Sequence, residues 1–219
     1  MPFLSRRFLM AACAAFCLCL AAPSSVGAVD APEAPDAQHD QNAASPPGKF
    51  VQTLGERAIK IISNKQLSPV QRNTEFAKVL NDSFDLKTIG RFVIGRTWNS
   101  ATPDQQNEYM NLFQALVIKN YGDRMTLAAG ENFQVIGSRS ESDNDTTVNS
   151  QISHSDGSKP TDIGWRVRQK DGKQAIIDVI VEGVSLSVTQ RQEYGSIIQN
   201  SGGQIDGLLQ TMRTQLNGA

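Results

Sequence analysis

Past position 19 the chain holds no cysteine: Cys13, Cys17 and Cys19 are all of them. The rest of the sequence therefore has no disulfide framework, no thiol nucleophile and no thiolate metal site. Histidine is almost as scarce, with only His39 and His154. Two such residues build neither a His-based zinc site nor a Ser-His-Asp triad. Phosphate-cradling glycine motifs (G-x-x-x-x-G-K, or G-x-G-x-x-G after a strand) do not occur. An excess of one charge is missing too: 21 Lys+Arg stand against 22 Asp+Glu. That balance argues against nucleic acid as a partner and against non-specific adhesion to anionic membranes. Nor does any apolar run after residue 22 approach the roughly 20 residues a spanning helix needs, so the mature protein is expected to be soluble.

What is present begins with a leader. Arg6 and Arg7 precede Phe8–Ala22, an almost wholly apolar stretch, and Val26-Gly27-Ala28 fits the small-x-small rule for cleavage after Ala28. Residues 1–28 thus read as a secretory signal peptide. Ser5-Arg6-Arg7-Phe8-Leu9-Met10 also resembles a twin-arginine motif. Sec export is the favoured reading, since nothing downstream suggests a cofactor inserted before export. Met10-Ala11-Ala12-Cys13 lies too close to Arg7 to form a lipoprotein box. Residues 29–47 carry Pro32, Pro35, Pro46 and Pro47 among polar residues without apolar periodicity, as a disordered tether does. One domain, 48–219, follows.

Lys49–Gln66 spaces Val51, Leu54, Ala58, Ile61 and Ile62 on one helical face. Ser68-Pro69 opens a second helix to about Phe84, and Asp85 caps a short third, Leu86–Ile94, closed by Gly95. Thr102-Pro103-Asp104-Gln105 starts the longest, with a stripe of Tyr109, Leu112, Phe113, Leu116, Val117, Tyr121 and Met125. From Asn132 the period becomes two: Phe133-x-Val135, Val148-x-Ser150-x-Ile152 and Ile163-x-Trp165-x-Val167. Gln174–Val184, apolar on both sides, reads as a more central strand, joined through an Asp171-Gly172 hairpin. Gly183 reads as a sharp bend into two closing helices separated by Gly202-Gly203. The expected fold is α+β: four antiparallel strands in a meander, with helices before and after.

One acidic pair needs weighing. Asp178 and Glu182 are expected on the same strand face, four residues apart, where two carboxylates can serve as acid and base. The favoured reading is structural: they pair with Arg166 or Arg168 of the neighbouring strand, or cap the next helix. No His, Lys or Cys stands by to orient a catalytic pair.

Two stretches resemble the MlaC/toluene-tolerance family of periplasmic phospholipid-binding proteins. The first runs from Phe84-Asp85-Leu86 through Phe92-Val93-Ile94-Gly95-Arg96 to Ala101-Thr102-Pro103-Asp104-Gln105-Gln106, Phe113 and Tyr121-Gly122. The second is Trp165-Arg166-Val167-Arg168, then Asp178-Val179-Ile180-Val181-Glu182-Gly183-Val184-Ser185-Leu186 and Arg191-Gln192-Glu193-Tyr194. The resemblance extends from Lys49 to about Leu216. It implies an NTF2-like cone, a curved sheet wrapped by helices around an apolar pocket, with no cofactor. It further implies a periplasmic shuttle carrying phospholipid between an outer-membrane lipoprotein complex and an inner-membrane ABC transporter with its substrate-binding subunit. A related branch is associated with hopanoid biosynthesis.

On that reading the helix stripe and the inward strand positions converge on the concave face. Phe113, Leu116, Val117, Val135, Trp165, Val167, Val179 and Val181 are then expected to line or border the pocket. Two competing classes remain: an enzyme on the same cone, which needs a polar acid/base pair inside it, and a non-carrying accessory subunit with a small or filled pocket.

Overall fold

The computed structural model describes residues 43–125 and 131–218. The expected leader (1–28) and all but the end of the expected tether lie outside these residues.

Helix α1 spans Pro46–Ser63, opened by the Ser45 side chain, which accepts from Gly48 N at 3.1 Å. Pro46 and Pro47, read from sequence as the end of the tether, form its first turn. A missing N–H costs nothing there and the fixed φ suits a helix. Helix α2 (Pro69–Ser83) carries a full Ser68/Gln71 capping box, and Asp85 Oδ1 accepts from Thr88 N at 2.9 Å to open α3 (Leu86–Ile94). A single turn, α4 (Thr97–Ser100), was not anticipated. Helix α5 (Pro103–Met125) starts on a reciprocal Thr102/Gln105 pair.

The sheet has five strands where four were expected: β1 (Asn132–Ser140), β2 (Asp145–Ser153), β3 (Thr161–Lys170), β4 (Lys173–Val181) and the two-residue β5 (Val184–Ser185). All pair antiparallel in sequence order. Helices α6 (Leu186–Asn200) and α7 (Ile205–Asn217) complete the chain. The fold is thus α+β. The reading of β4 as central and continuous to Val184 is corrected, because the chain reverses after Val181. Its apolar character on both sides has another cause: α2, α3 and α6 all pack against it.

Both tight hairpins use two successive left-handed residues, Asp171 (φ 51°) with Gly172 (φ 73°) and Glu182 (φ 48°) with Gly183 (φ 80°). This turn type matches the twist of paired strands. A Cβ on Gly183 would meet nothing within 4 Å, so a substitution there costs backbone strain alone. Gly183→Val is expected to destabilise the domain by about 1–2 kcal/mol, a fall in Tm of about 2–6 °C. Gly183→Asn, which tolerates the left-handed region, should melt much nearer to wild type.

Two apolar cores form. One joins α3, α5, α6 and α7 around Tyr109, Phe113, Leu116, Tyr194, Leu208, Leu209 and Met212. The other joins α1 and α2 to the sheet through Val51, Leu54, Val79, Val135, Val148, Val167 and Ile176. Tyr109 is 0% exposed and donates to Gly90 O at 3.0 Å, with Tyr194 edge-on at 6.5 Å. Burial pushes both phenols well above their ordinary value. Tyr194 adds to the shift of Tyr109, and Glu193 to that of Tyr194. The unfolded chain ionises near pH 10 while the folded one does not. Their contribution is therefore whole below about pH 10 and is lost as pH rises beyond it. Denaturant titrations at about pH 9 and about pH 11.5 should show that loss, and Tyr109→Phe with Tyr194→Phe should flatten it.

Candidate functional site

Strand register decides which side chains share a face. Phe133 sits beside Ile152 and Thr161; Val135 beside Ser150, Ile163 and Val181; Val148 beside Trp165 and Val179; Val167 beside Ile176. These rows make one apolar face, against which α1 and α2 pack. Bulges between Val135 and Gly137, and opposite Arg166 and Val167, bend the strands.

Burial along this face is uneven. Val148, Val167 and Ile176 are closed off, whereas Phe133, Ile152, Ile163, Trp165, Val179 and Val181 are all half-buried. At this open end Phe133 meets Trp165 edge-to-face, with ring centroids 6.3 Å apart. Gly55 of α1 makes room for the phenyl ring, since a Cβ there would fall 2.3 Å from it. Trp165 Nε1 donates to Ser150 Oγ at 2.9 Å, and Ser150 is itself 1% exposed. The one polar atom of the indole is thus tied into the sheet, which leaves its ring as apolar surface. Beyond this end lies a polar rim: His154 Nε2 bonds Thr161 Oγ1 at 2.9 Å, and Glu131 Oε2 lies 3.5 Å from His154 Nδ1.

Of the residues expected from sequence to line a pocket, Val135, Trp165, Val167, Val179 and Val181 share this face. Phe113, Leu116 and Val117 do not join them; they belong to the helical core, packed among α3, α6 and α7. Helical period selects a face of α5 but not the partner that covers it. Phe133, Ile152 and Ile163 belong to the open end and were not among the expected lining. Their signal was available, since each alternates in period two with Val135, Ser150 or Trp165.

The acidic pair is not arranged as acid and base. Asp178, 6% exposed, faces the opposite side of the sheet. Its Oδ1 accepts from Val179 N (2.9 Å) and Ser187 N (3.1 Å), and its Oδ2 from Ser185 Oγ (2.6 Å). Glu182 lies past the end of β4, in the turn, where its Oε1 accepts from Asp162 N at 2.7 Å. The expected common strand face is therefore corrected, because the hairpin intervenes. Arg168 is engaged elsewhere: its fork meets both oxygens of Asp145 at 2.7 Å and holds that carboxyl below the usual range. Among the described residues no group of three or more His, Cys, Asp or Glu is placed to hold a metal, and no helix is long and apolar enough to cross a membrane.

A bent antiparallel sheet with helices preceding and following it makes an α+β domain, and its curvature fits an NTF2-like fold. Residues 52–214 match the family model described as MlaC protein, and the chain belongs to that family. Among solved structures it is similar to the phospholipid-binding protein from Ralstonia solanacearum, determined in complex with a phospholipid. The two share 21% identity over 82% of this chain and 98% of that one, with a TM-score of 0.67. At that identity the likeness establishes the fold.

Proposed function

We propose that this chain is a periplasmic carrier that shelters phospholipid acyl chains against the half-buried end of the sheet face. The observation that carries the reading is the cluster of Phe133, Ile152, Ile163, Trp165, Val179 and Val181 in a member of the MlaC family. Residues 1–28 then act as the cleaved export signal, 29 to about 45 as the tether, and the remainder as the lipid-binding domain. The partners are an outer-membrane lipoprotein complex and an inner-membrane ABC transporter with its substrate-binding subunit. Exchange between them supports outer-membrane lipid asymmetry.

Energetics favours such a device. Burying a methylene stabilises by about 0.8 kcal/mol, so releasing one 16-carbon chain into water costs on the order of 12 kcal/mol. A carrier needs apolar wall enough to offset most of that, and a mouth that opens. It needs no reacting group, in keeping with an Asp178 saturated by hydrogen bonds.

Native mass spectrometry of protein purified from the periplasm tests the proposal, with lipid extraction to identify what is bound. Co-purified phospholipid is the expected result. A hopanoid would assign the chain to the hopanoid-associated branch. A reproducibly empty protein would count for an accessory subunit instead.

A further inference from the structure

Around α3, α4 and the first half of α6, cations gather. Lys87, Arg91, Arg96 and Arg191 are all exposed. Among the described residues none of the four is ion-paired with a carboxylate. The nearby acids are occupied or turned away. Asp85 caps α3, accepting from Thr88 N and from Thr88 Oγ1 (2.6 Å). Glu193 lines a cleft on another flank of α6 with Asn120, Tyr194 and Gln215. Within the cationic surface two apolar side chains stay uncovered, Phe92 at 43% and Val188 at 42% exposure.

Two of the arginines are held in place. The Arg191 guanidinium lies 4.9 Å from the centre of the Phe92 ring and donates through Nη1 to Phe92 O at 2.5 Å. Gly95 leaves it space, since a Cβ there would fall 2.8 Å from Nη2. Arg91 lies 5.3 Å from the centre of the Trp98 ring. Each keeps N–H donors unspent, in a fork that fits a carboxylate through two parallel bonds. An arginine already stacked on a ring has less rotamer freedom left to lose on docking. Arginine beside an uncovered aromatic is also the composition found at the energetic centre of protein interfaces.

We propose that this surface is a docking site for an acidic face of a partner protein. An anionic bilayer fits it less well. Two half-exposed side chains offer little apolar area to insert into it. The proposal rests on the carrier reading only in its choice of partners to try, the two membrane complexes.

The test uses the mature lipid-loaded protein and measures binding to the immobilised outer-membrane lipoprotein complex and to the transporter's substrate-binding subunit. Wild type should bind at least one of them, and weaken about tenfold or more as salt rises from about 50 to about 300 mM. Arg91→Glu with Arg191→Glu should weaken binding by about 30-fold or more while lipid content is unchanged. Lys87→Glu with Arg96→Glu, whose side chains make no hydrogen bond or ion pair among the described residues, should act in the same direction and guards against misfolding of the first variant. Binding by both variants equal to wild type would overturn the proposal, as would wild type binding neither complex. Vesicles of phosphatidylglycerol that bind wild type but not the variants, with complex binding intact, would assign the surface to the bilayer and overturn it as well. Lipid retained in each of these cases keeps the carrier reading standing by itself.

Discussion

Asp178→Ala is expected to lower the stability of the domain by about 3–5 kcal/mol, enough to bring its Tm down by about 10 °C. The carboxylate is buried and receives three hydrogen bonds, from Val179 N, Ser187 N and Ser185 Oγ. Two of these donors sit where β5 hands the chain to α6, so one side chain ties the end of the sheet to the start of the closing helices. Alanine removes the acceptor all three share, and each group left unsatisfied costs about 1–3 kcal/mol. Asp178→Asn should cost clearly less. Its oxygen retains the two backbone donors, but its amide must now donate to a Ser185 hydroxyl that already accepts from Val188 N at 3.1 Å. Thermal and denaturant unfolding of the three proteins reads out this order. Incubation with phospholipid should yield no lysolipid or free fatty acid from any of them; turnover in wild type that disappears in Asp178→Asn would make this an enzyme.

Asp178 also illustrates which parts of the molecule were legible in the sequence. Local chemistry was. The Thr102/Gln105 box, the Asp85 cap, the Asp171-Gly172 hairpin and the bend at Gly183 depend on a few adjacent residues, and all stand where the sequence puts them. A structural role for Asp178 was legible as well, with capping of the next helix among its two expected forms; the choice between that and an arginine partner was not. Arg166 lies opposite it in register, yet the carboxylate turns to the N-terminus of α6, a choice that depends on a bulge and a two-residue strand. The strand positions Val135, Trp165, Val167, Val179 and Val181 could be put on one face because period two leaves only two choices. The neighbours of α5 could not be read in this way. Its apolar stripe is satisfied equally by a sheet or by other helices, and only the assembled chain sends Phe113 and Leu116 into the core shared with α3, α6 and α7.

That division of the apolar inventory separates stability from binding, and a pair of substitutions on one face should expose the difference. Val135 and Val181 belong to the same row, with two strands between them, but Val135 is 6% exposed in the closed core whereas Val181 is half-buried at the open end. A carboxylate at Val135 would be buried among Val51, Leu54, Val148 and other apolar side chains of the core, so Val135→Asp is expected to unfold the domain. At Val181 the same carboxylate keeps part of its hydration, and the fold should survive with Tm lowered by no more than about 5 °C. The charge would nevertheless lie against the proposed acyl path. Stripping its water to admit a hydrocarbon chain costs at least about 3 kcal/mol, more than a hundredfold in affinity. Purified Val181→Asp should therefore be folded by circular dichroism yet carry less than about a tenth of the wild-type lipid by quantitative mass spectrometry. Val181→Leu, which keeps the wall apolar, should retain its lipid. A folded Val181→Asp protein with a full complement of lipid would move the acyl site off this end of the sheet.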